Sequence, residues 1–461
     1  MKHSFVLGLT VFLSIFGYKK ELRWDWNQIK VEDVKFPKDF LWGAATAAYQ
    51  IEGHIYNNNW SDWGKQINED GKPRIKNGDS CGVCCDHWNK FKEDFQRLKD
   101  LNLNSYRFSI EWSRIEPEPG AWDQSAIDQY KEMCKELLRL NITPVVTIHH
   151  FTHPLWFEKL GAFEKKENIK FIVRFAEKLF EEFSEYVNFW CTINEPAVYA
   201  AHCYFLGEFP PGKKDLKLAS IVLENLLESH VQIYKKLKSM PGGTEKKIGI
   251  VKQILQFDAY NRHNPLDRIL CRYLNHIFNE TVMEFLKTGK YRVRIPFIIN
   301  YKSFNFDAPK SLDFVGLNYY SHATLKFKPS KNQFFEIKYR PEAIVTDLPH
   351  SIYPEGLYRA LQYISELNTP IYITENGIAD GDDSRRKFFL KRYLWAISKA
   401  LEEGMDIRGY FYWSLIDNFE WSEGFEPRFG LYHLDYKTQE RILRPSSLYL
   451  KQVASRSLDN N

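Results

Sequence analysis

The chain of 461 residues lacks a long hydrophobic run. A membrane-spanning helix needs about 20 apolar residues in succession, and the most apolar stretch, Phe5 to Phe16, falls short of that. No Gly/Ser-rich or Pro-rich linker divides the sequence, which argues against a string of tethered modules. Charge of one sign is also missing: a net +4 is too weak to point to a nucleic-acid partner. Cysteine is sparse, at seven. Cys81, Cys84 and Cys85 resemble half of a zinc site, but no partner Cys-x-x-Cys follows, so free thiols in a loop are expected. His149, His150 and His153 match none of the helical zinc spacings. Neither a metal nor a cofactor is expected. With 44% hydrophobic and 26% charged residues, the chain can bury one large core as a single domain.

What is present is regular. β-Branched and aromatic runs alternate with stretches of helical period, as βα units around a parallel sheet require. Eight runs stand near Phe40 to Ala47, Ser105 to Ile110, Pro144 to His149, Asn188 to Ile193, Ile248 to Leu255, Asp313 to Leu317, Pro370 to Thr374 and Ile407 to Trp413. Between them, Asp86 to Leu101 carries Phe91, Phe95, Leu98 and Leu101 on one stripe, and Asn168 to Glu185 carries Ile172, Phe175, Leu179 and Phe183. Eight such units predict an α/β fold, a single (β/α)8 TIM barrel. In that fold chemistry collects at the C-terminal ends of the strands.

The polar motifs obey that rule. Gln50 follows run one, Arg107 lies within run two, His150 follows run three, and Asn194-Glu195 closes run four. Asn318-Tyr-Tyr320 closes run six, Glu375 closes run seven, and Trp413 to Trp421 leaves run eight. Run five, with only Gln256 and Phe257 at its end, contributes no candidate. Two glutamates at strand ends suit the cleavage of a glycosidic bond. One carboxylate stabilises an oxocarbenium-like state while a carboxylic acid protonates the leaving oxygen.

These stretches, from Phe36-Pro-Lys-Asp-Phe-Leu-Trp-Gly to Arg444-Pro-Ser-Ser447, resemble glycoside hydrolase family 1, the retaining β-glucosidase family. The resemblance covers nearly the whole chain, and six motifs in the right order make it specific. It implies that Glu195 is the general acid and then the base, and that Glu375 is the nucleophile, the two carboxyl groups about 5 to 5.5 Å apart. Arg107 and Tyr320 resemble the residues that hold the nucleophile, and Asn318 joins this catalytic set. The implied glucose subsite is Gln50, His150, Asn194, Glu420 and Trp421, with Trp413 as its floor. An acceptor-only carboxylate at Glu420 suits free hydroxyls and repels phosphate, so the expected partners are small unphosphorylated β-glycosides, glucosides first and galactosides or fucosides next. The 16% aromatic content fits such a pocket, since sugar rings offer apolar C–H faces for stacking.

The chain departs from the family after run three, where His149-His150-Phe151-Thr152-His153-Pro154 replaces the usual Trp-Asp-Leu-Pro that follows the histidine. The same site would also serve a transglycosylase, and a klotho-like silent binding barrel is the third reading; retention of both Glu195 and Glu375 opposes the last. Residues 1–30 read as an N-terminal extension with a signal-like or anchor segment, 31–455 as the barrel and 456–461 as a polar tail. Lys2 and His3 before Phe5 to Phe16 resemble an export signal, whereas the lack of an Ala-x-Ala site and the presence of Lys19-Lys20 oppose cleavage. Export, anchoring and retention all stay open.

Overall fold

A computed structural model describes residues 21–330 and 334–459. Eight parallel strands close into a barrel. They are β1 (Leu41–Ala45), β2 (Ser105–Ser109), β3 (Thr143–His149), β4 (Phe189–Asn194), β5 (Lys247–Gln253), β6 (Phe314–Asn318), β7 (Ile371–Asn376) and β8 (Ile407–Trp413). Each falls within a run expected from the sequence, apart from the starts of β3 and β5 and the ends of β4, β6 and β7. Consecutive strands pair around the ring, and β8 closes on β1 with Leu41 opposite Gly409. Nearly every strand residue is buried, because helices cover the outside and side chains fill the inside.

Helices follow every strand, among them α1 (His87–Asp100), α2 (Gln124–Arg139), α3 (Ile169–Phe183), α4 (Leu216–Ser239), α5 (Thr281–Thr288), α6 (Pro354–Ile364), α7 (Arg386–Glu402) and α8 (Ser447–Asp459). The stripe Ile172, Phe175, Leu179 and Phe183 of α3 is buried, which is why a chain with this spacing folds as a helix against the barrel. Asp123 accepts from the Ala126 amide and Asp215 from the Lys217 and Leu218 amides, so α2 and α4 begin at side-chain caps that satisfy otherwise orphaned donors.

Run five differs from expectation, and both ends of the described chain carry structure. Run five ends as a barrel strand at Gln253; Gln256–Ala259 pairs in parallel with His322–Phe327, which pairs in turn with Phe335–Ile337. Gln256 and Phe257 therefore belong to a small separate sheet. The described part of the N-terminal extension is tied down. The rings of Trp24 and Trp26 stand 4.9 and 5.6 Å from that of Trp395, and the Trp24 amide and Trp26 indole both donate to Glu355 at 3.0 Å. At the other end α8 runs through Asp459, so most of the expected tail is helical. The signal-like stretch Phe5 to Phe16 lies outside the described residues. No helix among the described residues is long and apolar enough to cross a membrane.

Candidate active site

Glu375 is the penultimate residue of β7, and both of its oxygens are held. Arg107, rising from β2, donates to Oε1 at 2.6 Å, and Tyr320, just past β6, donates to Oε2 at 2.6 Å. Arg107 is fully buried and spends its other N–H groups on Thr147 Oγ1 (3.0 Å), the Thr374 carbonyl (3.3 Å) and Asn194 Oδ1 (2.6 Å). A planar guanidinium fixed at four points has one orientation. Burial, with the Glu375 charge next, pushes the Tyr320 phenol well up, so it stays a donor.

Glu195 closes β4 with its backbone in the left-handed region (φ 48°), unusual for a residue with a side chain. Pro196 then starts a short helix at the one position where its missing N–H costs nothing. The turn is anchored by the Glu195 amide, which donates to the Val251 carbonyl of β5 at 2.9 Å. Asn318 Nδ2 donates to Glu195 Oε1 at 2.8 Å and to Asn194 Oδ1 at 3.3 Å, while Thr374 donates to Asn318 Oδ1 at 2.7 Å. Gly316 keeps this arrangement possible: a Cβ there would lie 2.8 Å from Thr374 Oγ1 and 2.9 Å from Val251 Cγ2. Burial, and then the neighbouring Glu375 charge, pushes Glu195 up to about 8 against the opposing effects of Asn318, Arg107 and Lys252.

The remaining candidates gather beside this pair. Asn194 Oδ1 already accepts from Arg107 and Asn318, so its Nδ2 faces His150 Nε2 at 3.2 Å. Burial first and Arg107 second depress the His150 pKa strongly, leaving a neutral imidazole whose Nε2 accepts and whose Nδ1 carries the proton. The His150 ring lies at 24° to Trp413 and 21° to Trp421, with centroids 5.8 and 6.1 Å away. Gln50 Nε2 donates to the Phe419 carbonyl at 2.7 Å and to Asn418 Oδ1 at 3.2 Å. Three buried polar atoms of this group, Gln50 Oε1, His150 Nδ1 and Glu420 Oε2, have no protein partner. An unmatched buried polar group costs about 1–3 kcal/mol, so a cluster of them marks a place built for a polar ligand. Burial, followed by the Glu375 charge, pushes the Glu420 carboxyl up to about 8.

His149 does not join the site: it stacks on His153 at 5.9 Å and meets Phe163 edge-on. The three thiols of the loop after β1 are free, and all three are buried. Cys84 donates to the Gln50 carbonyl at 2.6 Å.

Lys252 of β5 is the residue that sequence reasoning missed. It is buried, bonded to the Gln253 carbonyl and 3.5 Å from Asn279 Oδ1, with its ammonium 4.6 Å from the centre of the Phe278 ring. Burial pulls it down to about 7, and Glu195 is the charge that opposes this. The signal was visible as a lone cation within Ile248-Gly-Ile-Val-Lys252, where a barrel strand is otherwise apolar.

A family model for glycosyl hydrolase family 1 matches residues 32–458. The chain belongs to this family. It is 36% identical to Beta-glucosidase A of Thermotoga maritima over 451 residues, 91% of this chain and 97% of that one. A solved family 1 β-glucosidase from Thermotoga maritima superimposes with a TM-score of 0.83 at 33% identity, covering 92% of this chain and 99% of that one. A more distant relative, 31% identical over 91% of this chain and 97% of its own length, is a 6-phospho-beta-galactosidase of Clostridium acetobutylicum. This family 1 enzyme is thus a β-glucosidase-type glycosyl hydrolase acting on glycosides.

Proposed function

We propose that this glycosyl hydrolase releases the terminal non-reducing β-D-glucosyl residue, and also galactosyl or fucosyl, from unphosphorylated β-glycosides by double displacement. The reading is carried by the opposite settings of two neighbouring carboxyl groups. Glu195 is pushed up to about 8 and keeps its proton at neutral pH, while Glu375 accepts hydrogen bonds on both oxygens from Arg107 and Tyr320. One is set as an acid and the other as a nucleophile.

In the first half, Glu375 attacks the anomeric carbon as Glu195 passes its proton to the departing oxygen. The aglycone leaves, and the sugar remains as an ester of Glu375. The charge on Glu375 is then gone, so one of the causes that raised the Glu195 pKa disappears. Asn318 and Lys252 favour the ionised form that results, and Glu195 takes a proton from water as the water attacks the anomeric carbon. Asn194 Nδ2 lies where it can serve the 2-hydroxyl, whose hydrogen bonds strengthen in the transition state. Gln50 Oε1, His150 Nδ1 and Glu420 Oε2 supply acceptor, donor and carboxyl to other hydroxyls, with Trp413 beneath the ring. None of the three gives a sugar phosphate a positive counter-charge, which supports unphosphorylated substrates over those named for the phospho-galactosidase relative.

The test is intact-mass spectrometry after incubation with an activated 2-deoxy-2-fluoro-β-glucoside, followed by peptide mapping. The expected result is one fluoroglucosyl group on Glu375. An adduct on another residue, or no adduct together with no hydrolysis of aryl β-glycosides, overturns the reading.

A further inference from the structure

Between α5 and β6 the chain forms a two-stranded antiparallel ribbon, Lys290–Ile295 against Ile299–Phe304. Its two faces have different composition. The inner face holds it to the body: Tyr291 Oη donates to the Ser220 carbonyl at 2.6 Å, Tyr301 Oη donates to Glu224, and just beyond the second strand Asn305 Nδ2 donates to both oxygens of Glu228 at 2.9 Å. The outer face exposes Lys290, Arg292 and Arg294 on the first strand and Asn300, Lys302 and Phe304 on the second. That is four cations and no carboxylate. Among the described residues none of the four enters an ion pair, although Lys287–Glu366 and Lys235–Asp307 form on the adjoining elements. Arg292 stands directly opposite Lys302 in the register, a like-charge pairing that weakens a ribbon. Folding alone gives no reason for it.

The turn of the ribbon is apolar. Phe297 is 91% exposed and Ile298 70%. Single exposed apolar side chains are ordinary, but two neighbours at the tip of a cationic ribbon form a combined feature. Anionic headgroups attract Lys and Arg within a Debye length, and the interfacial layer beneath accepts aromatic and aliphatic side chains. We propose that this ribbon is a docking surface for an anionic phospholipid bilayer, with the Phe297–Ile298 turn entering the headgroup layer and the four cations facing lipid phosphates. A nucleic acid would also answer the charge, yet it offers no apolar layer for the turn.

The test is co-sedimentation of the full chain with phosphatidylcholine vesicles, with and without phosphatidylserine. Wild type is compared with Arg292→Gln/Arg294→Gln/Lys302→Gln and with Phe297→Ser/Ile298→Ser. All three proteins carry the same N-terminal segment, so differences belong to the ribbon. The triple variant should bind the anionic vesicles about fivefold less per charge removed, on the order of 100-fold in total, and the double variant should also bind less. Hydrolysis of an aryl β-glucoside should be unchanged in both, which reports an intact fold. Equal binding by wild type and variants, equal binding to neutral vesicles, or tighter binding to single-stranded DNA overturns the proposal. If a variant fails to fold, added salt decides it on the wild type: binding must fall steeply, and salt-insensitive binding refutes it.

Discussion

Replacing Asn318 with Leu tests the acid–base assignment at one atom. Asn318 Nδ2 donates to Glu195 Oε1 at 2.8 Å, and that bond favours the ionised carboxylate, as its lowering effect on the Glu195 pKa records. Hydrogen bonds to charged groups contribute about 1.5–3 kcal/mol, and one pKa unit equals about 1.36 kcal/mol. The substitution should therefore raise Glu195 by roughly 1 to 2 units, from a position already near 8. The sign follows from the role. Glu195 must be protonated to release the aglycone, so a higher pKa carries the basic limb of kcat/KM upward. Deglycosylation needs the ionised form to be regained, so kcat at neutral pH should fall. The assay is a pH profile of kcat/KM with an aryl β-glucoside bearing a poor leaving group. The control is Thr374→Val, which frees Asn318 Oδ1 without touching Glu195 and should leave the limb in place. A basic limb that stays put or moves down in Asn318→Leu would refute the argument.

Four further outcomes are expected. Lys252→Met removes a side chain whose charge lowers the Glu195 pKa but which itself sits at about 7, so the basic limb of kcat/KM should move upward less than in Asn318→Leu; a larger shift than in that variant would refute this ordering. Glu195→Ala should reduce turnover of glycosides with poor leaving groups far more than of activated ones, because only the former need the proton, and equal losses would make Glu195 structural. Glu375→Gly should abolish hydrolysis of an activated β-glucoside until azide is added, when the α-glucosyl azide appears; retention of normal activity would remove Glu375 from the chemistry. Glu420→Ser should lower turnover of plain glucosides, and unchanged kinetics would detach Glu420 from the sugar.

The barrel was legible because its strands are buried on both sides and read as uninterrupted apolar runs, each ending in a polar motif. The site was legible for the same reason: strand ends converge, so Glu195, Asn318 and Glu375, distant in sequence, become bonded neighbours through Arg107 and Asn194. What escaped has a different physical origin. The ribbon alternates exposed and buried residues over Lys290–Ile295, a period-2 pattern quite unlike the continuous apolar runs of the barrel strands. Lys252 hid because its neighbours are apolar and its partners, Phe278 and Asn279, lie on a segment more than twenty residues away. The packing of Trp24 and Trp26 on Trp395 depends on contacts across some 370 positions, which no local pattern encodes. The pKa of Glu420 depends on burial by surrounding loops, and composition cannot report that.

The double hold on Glu375 has a consequence for the direction of the cycle. In the proposed cycle, while the sugar is attached, one oxygen of that carboxyl would belong to an ester and be a poor acceptor, and the anion paired with Arg107 would be neutralised. The guanidinium cannot turn elsewhere, because Thr147, Thr374 and Asn194 occupy its other N–H groups. The loaded enzyme would thus carry its negative charge on Glu195, which also acts on Arg107, and the direct Arg107 ion pair returns only when water frees the Glu375 carboxylate. On this reasoning the resting enzyme is where the cycle comes to rest, and a nucleophile held this firmly is also one that is difficult to leave blocked.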